Sequence, residues 1–170
     1  MKSKFSLTRK DEQLMELVGE TDRKTLAVWA TDCAERVLSY FERKFPDDRR
    51  PRKALETLRE WLKTGEFKMA VIRKASLDSH AAAREVGAES PARSAARAAG
   101  QAVATAHVPR HAYGAAIYAQ QAVFRAADSA TAPAVPASGA ALADADAAAT
   151  KERDWQYRHL LELIELKLMH

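Results

Sequence analysis

"GQAVATAHVPRHAYGAAIYA", residues 100–119, decides the fold. Ahead of Pro109, Ala95, Ala99, Ala102 and Ala106 recur at spacings of three and four; beyond it, Ala112, Ala116, Ala119, Val123 and Ala126 do the same. Each set draws a stripe of small side chains along one face of a helix. Pro109 disfavours helical backbone at Val108 and suits the first turn of a new helix, so the stretch is the joint between two helices. Alanine stripes let helices approach closely, which predicts an antiparallel pair. His107 then closes the first helix and His111 sits in the first turn of the second. Their spacing is therefore not the uninterrupted helical pair that binds a metal.

The rest of the chain carries the same period. The first helix is expected to start at Thr8, whose hydroxyl can cap "RKDEQLMEL", with Asp11 and Glu12 near its positive end. A second runs from about Asp22 to Lys44 and turns Leu26, Trp29, Ala30, Cys33, Val37, Tyr40 and Phe41 inward. "FPDDRRP" stops it, and Pro51 opens a third, residues 51–63, that ends at Gly65. A fourth spans about 66–86, with Ile72, Ala75, Ser79, Ala82 and Val86 on one face. Ser90 caps the next, with Pro91 at its first position; it ends near Ala106, and its partner runs from Pro109 to about Asp128. "SATAPAVPASGAALADADAAAT", residues 129–150, lacks large apolar residues and reads as a long mobile Ala/Pro-rich connection, partly helical near its end. A last amphipathic helix, "KERDWQYRHLLELIELKLM", offers Trp155, Leu160, Leu161, Ile164 and Leu168 to the core, and a homodimer contact would use the same residues. No alternation typical of strands occurs. The expected fold is all-α: one domain over residues 1–170, a bundle of six to seven helices, with stacked helical hairpins as a variant layout.

The 47% apolar and 29% charged content places the chain among ordinary globular proteins. The charged N-terminus lacks a signal-peptide core, and the least polar stretch, 98–124, is interrupted by histidine, proline, arginine and glutamine. The expectation is a cytoplasmic protein without membrane association. Cys33 is the one cysteine and lies in an apolar stripe, which makes it a small buried hydrophobe rather than a reactive thiol.

A net charge of +4 raises the question of an anionic partner. The basic excess sits in the first half, densest in "RKFPDDRRPRK", residues 43–53, where Arg49, Arg50, Arg52 and Lys53 could meet nucleic acid. The interspersed Asp47 and Asp48 favour a solvated loop instead.

Phosphate loops, dinucleotide fingerprints, nucleophile elbows, HExxH and paired cysteines are all absent, so no catalytic residue and no cofactor is expected. His80, His107 and His111 could form a zinc site if the turn folds back toward the fourth helix, with Asp78 or Glu85 completing the set. As capping or inter-helix hydrogen-bonding groups they need no metal. Tyr113 and Tyr118 flank Gly114 and could line a pocket beside them. Arg84, Arg93 and Arg97 could make an anion site with His80 if the fourth and fifth helices are neighbours.

Four blocks point to a family: "RPRKALETLREWLKTGEF", "RKASLDSHAAAREV", "ARSAARAAGQAVATAHVPRHAYGAAIYAQQA" and "KERDWQ". Together they resemble the small bacterial immunity proteins of the Imm-5-like type over about residues 20–160. Arg50, Pro51, Arg52, Trp61, His80, Ala83, Arg84, Ala99, Gly100, His107, His111, Ala116, Tyr118 and Trp155 fit the pattern. The resemblance implies an all-helical, non-catalytic cytoplasmic protein that binds and neutralises a cognate toxin. It makes His80, Arg84, His107, His111, Tyr113, Tyr118 and Trp155 the candidates for ligand or partner contact. Since this chain is net basic, the implied toxin surface is neutral or acidic, or is held by apolar and shape complementarity.

Overall fold

Seven helices account for the described residues: α1 (Glu12–Glu20), α2 (Arg23–Glu42), α3 (Arg50–Thr64), α4 (Met69–Arg84), α5 (Pro91–Ala104), α6 (His111–Ala130) and α7 (Gly139–Leu168). The structure, a computed structural model, describes residues 5–7, 11–130 and 139–170, with residues 130 and 139–142 described by backbone alone. Local chemistry sets the boundaries. Asp22 accepts hydrogen bonds from the amides of Lys24 and Thr25 at the start of α2, and Ser90 accepts from Ala92 at the start of α5. Gly65 ends α3 at φ 72°, a left-handed conformation that costs glycine nothing. Pro109 and Arg110 form the turn ahead of α6, as the joint reading requires. α1 is capped by Asp11, which accepts from the Leu14 amide; Thr8, expected in that role, lies outside the described residues.

The bundle is organised around α5, which packs against α2, α3, α4 and α6. A helix surrounded on so many sides can bury its faces only if its side chains are small. Ala92, Ser94, Ala95, Ala96, Ala98, Ala99, Gly100, Ala102 and Val103 are all buried. The closeness shows in two hydrogen bonds. Ser79 Oγ of α4 donates to the Ala96 carbonyl of α5 at 2.8 Å, and Ser76 Oγ donates to that of Gly100 at 2.9 Å. A short hydroxyl reaches a neighbouring helix's backbone only where nothing larger than a Cβ intervenes. Bulk comes from the surrounding helices, as Trp29, Phe41, Leu26 and Leu38 of α2, Leu55 and Leu58 of α3, and Leu160 of α7 are fully buried. Cys33 is buried among them, and burial pushes its thiol pKa well up, with the carboxylates of Glu152 and Asp32 adding to the effect.

α7 docks on α2 and α6 through polar groups as well as apolar ones. Gln156 is wholly buried; its Nε2 donates to the Ala116 carbonyl at 3.0 Å, and its Oε1 accepts from Gln120 Nε2 at 2.9 Å. Its backbone carbonyl accepts from Trp29 Nε1 at 2.8 Å. Four residues earlier, buried Glu152 receives a two-pronged ion pair from Arg36. Among the described residues no buried side-chain nitrogen or oxygen lacks a partner.

One expectation changes. Helix is present from Gly139 and not only near the end of the 129–150 tract; the remainder of that connection, residues 131–138, lies outside the described residues. Alanine is the strongest helix former, and Ala145 and Ala149 are buried beside Phe124 with Phe5 packed nearby, so the tract has a partner despite its small side chains. Among the described residues no helix is long and apolar enough to cross a membrane.

Replacing Gln156 by leucine strands the Gln120 amide and the Ala116 carbonyl without water. The expected loss of stability is about 2–3 kcal/mol, read as a lowered urea midpoint; an unchanged midpoint would contradict the role given to this network.

Candidate functional site

The sequence-selected residues fall into separate places. α4 and α5 are neighbours, and this brings His80 of α4 onto Arg97 of α5, with Arg97 Nη1 3.2 Å from His80 Nδ1. A guanidinium only donates, so Nδ1 accepts and the neutral imidazole carries its proton on Nε2. Burial first, then the charges of Arg97, Arg84 and His111, lower the His80 pKa from 6.5 to about 4. The ring lies on Gly100: a Cβ there would come within 2.9 Å of Cε1 and Nε2. Glycine at 100 is thus the seat of the histidine.

His111 repeats the device one turn away. Its Nδ1 lies 2.7 Å from Gln101 Oε1, an acceptor, so Nδ1 carries the proton. Gln101 Oε1 in turn occupies the space a side chain at Gly114 would take, 2.7 Å from the Cβ position. Burial, then the charges of His107 and Arg110, lower the His111 pKa.

His111 acts electrostatically on His80 and His107 on His111, but His107 is exposed and stacks on Phe67, with ring centroids 6.4 Å apart. Among the described residues no three His, Cys, Asp or Glu side chains group so as to hold a metal ion. His107 instead borders an apolar hollow lined by Met69, Ile72, Leu77 and Ala104. Residues 69, 73, 76, 80 and 84 follow one another along α4 at helical spacing, so this face runs from an apolar end at Phe67 and Met69 to a cationic end at Arg84.

Tyr118 lies on α6 two turns before Arg125, on the same side of the helix. Arg125, half-buried, donates Nη1 to Ser94 Oγ at 2.8 Å. Sequence reading overlooked it, although its place seven residues after Tyr118, two helical turns on the same side, was the available signal. Tyr113 faces elsewhere, with its hydroxyl 3.4 Å from the Asp11 amide. Trp155 belongs to the α2–α7 side, where the Arg36 guanidinium lies 3.9 Å above its ring and His159 stacks on it at 4.7 Å. His159 Nε2 also reaches Asp32 at 2.7 Å.

Three arginines of the basic run that could have met nucleic acid are engaged within the chain, while Arg43, Lys44 and Lys53 stay exposed. Arg49 pairs with Glu56, Arg50 with Asp48 and Glu85, and Arg52 with Glu35 and Glu42. Arg50 thereby ties the start of α3 to the residue after α4, and Arg52 ties α3 to α2. A cleft of about 520 Å³ between α1, α6 and α7 is lined by Asp11, Gln120, Arg153 and Asp154, and its arginine is likewise paired with both aspartates.

The chain matches the family described as "Imm-5 like putative immunity protein" over residues 16–163, and it belongs to that family. No curated protein and no solved structure gives a match.

The seat of His80 can be tested by a cycle. Gly100→Ala is expected to push the imidazole off Arg97, raising the His80 pKa from about 4 toward 6.5 in an NMR titration. In a His80→Ala background the same change gains about 0.5–1 kcal/mol, the helix preference of alanine over glycine. A pKa depressed on folding means that His80 supports stability above its unfolded value, and this support is lost as pH falls from about 6.5 toward 4. An unmoved pKa in Gly100→Ala would contradict the geometry.

Proposed function

We propose that this chain is a non-catalytic immunity protein that binds a cognate bacterial toxin in the cytoplasm and blocks it by occupying its surface. The observation that carries the reading is family membership over nearly the whole chain. Supporting it, His80 and His111 on the α4–α5–α6 face are held in place by Arg97 and Gln101, and among the described residues they complete no catalytic set. No nucleophile is paired there with an activating base, and the one cysteine is buried away with its thiol pKa raised.

We assign partner contact to this face, with His107 and the exposed apolar residues Phe67, Met69 and Leu77 continuing it. An apolar region beside a cationic one suits a protein interface, where burial supplies affinity and charge sets register. Tyr113 and Trp155, which have partners inside the chain, are assigned to packing. The metal reading is left without a ligand set among the described residues, and in the 43–53 run Arg49, Arg50 and Arg52 already hold carboxylates, which weighs against nucleic acid.

Co-expression with the toxin made by the same cell tests this. The chain is expected to restore growth and to form a stoichiometric complex on size exclusion. Tyr118→Ala and Leu77→Asp should each weaken that complex about tenfold or more without lowering the melting temperature by more than a few degrees. Growth arrest despite soluble expression of both proteins would refute the function.

A further inference from the structure

Half-buried arginines elsewhere in this protein have carboxylates. Arg36 holds Glu152, Arg50 holds Asp48 and Glu85, Arg52 holds Glu35 and Glu42, and Arg153 holds Asp11. In each case the pairing raises the guanidinium pKa. Arg97 and Arg125 are the reverse: burial and neighbouring arginines lower theirs. Arg97 hydrogen-bonds only the neutral imidazole of His80, and among the described residues no carboxylate pairs with Arg84, Arg93 or Arg97. Arg93 spends one nitrogen on the Val86 carbonyl. Arg125 has Ser94 Oγ and, loosely, the exposed Glu89 at 3.9 Å.

Four guanidinium groups thus share one face, with the exposed Glu85 and Glu89 as weak counter-charges at its edge. Keeping them there costs free energy through desolvation and mutual repulsion, and an arriving anion relieves both. A planar fork of N–H donors matches a carboxylate with two parallel hydrogen bonds. Glu89 marks the chemistry at the rim, where it leans on Arg125 without closing on it. A phosphate polymer suits the patch less well. It would meet Glu85 and Glu89 at the edges, and Arg49, Arg50 and Arg52, which could extend its track, already hold carboxylates.

We propose that Arg84, Arg93, Arg97 and Arg125, set around His80 and Tyr118, form a carboxylate-binding site that receives an acidic segment of the toxin protein. That the segment belongs to a toxin rests on the immunity reading; the site itself does not. His80 works here as a spacer and acceptor: seated on Gly100, it holds Arg97 in place while leaving the remaining guanidinium donors unspent.

The test titrates the full chain with a short polyglutamate peptide, with inorganic phosphate and with a short DNA duplex, following the arginine Nε–Hε resonances by NMR. The peptide is expected to bind best, to shift the Arg97 and Arg125 signals, and to weaken with added salt. Arg84→Gln and Arg97→Gln should each reduce its affinity about tenfold, and Arg43→Gln, an exposed position just after α2, should leave it unchanged. Arg84 is exposed, so its variant keeps the test valid even if Arg97→Gln unfolds. No binding at millimolar peptide, equal binding by the Arg84 variant, or tighter binding of phosphate or duplex would each overturn the site. Peptide binding without toxin neutralisation would overturn the identity of the partner alone. Neutralisation that survives Arg84→Gln would show that the toxin does not use the site.

Discussion

Everything in this bundle depends on how closely other helices approach α5. Four neighbours crowd a helix whose buried positions are alanine, serine, glycine and one valine. Methyl-sized side chains give little hydrophobic gain each, so the stability comes from the large residues of α2, α3 and α7 that wrap this thin centre. The same thinness lets serine hydroxyls reach carbonyls across helices and leaves space above Gly100 and Gly114. That space is filled by His80 and Gln101. The site is therefore a by-product of the packing rule: where α5 has no side chain, at Gly100, α4 sends His80 inward, and where α6 has none, at Gly114, α5 sends Gln101.

Charge is arranged with the same economy. Arginines that cross between helices on the α2–α3 and α2–α7 sides meet glutamates and aspartates, and there they act as ties. Such pairs add little each where water screens them, but they fix the angle at which α3 and α7 lie on α2. On the α4–α5–α6 face the ties are missing and the arginines stay. Two sides of one molecule thus use the same residue for opposite ends, internal fastening on one and availability to an outside group on the other.

Much of this was legible in the sequence, and the parts that were not share a cause. Pro109 between two alanine stripes revealed the α5–α6 joint, and Asp22, Gly65, Ser90 and Pro91 marked helix boundaries correctly because capping is local. The tract after residue 129 was harder, since its alanines carry helix propensity but no large residue to announce a partner; Phe124 supplies one from another helix. The candidate site suffered the same limit. Periodicity shows which residues share a face of one helix, so His80 with Arg84 and Arg93 with Arg97 could be grouped. It does not show which faces of different helices meet. Tyr113 was for that reason placed beside the histidines, and the structure sends it to the start of α1. Arg125 was overlooked because its two-turn spacing from Tyr118 does not show which face of α5 it meets.

A crystal structure of the complex with the neutralised toxin tests the account most directly. It predicts an aspartate or glutamate of the toxin hydrogen-bonded to Arg84 or Arg97 at about 2.7–2.9 Å, with His80 still seated on Gly100. A toxin docked on the α2–α7 side, with those arginines left in solvent, would contradict it.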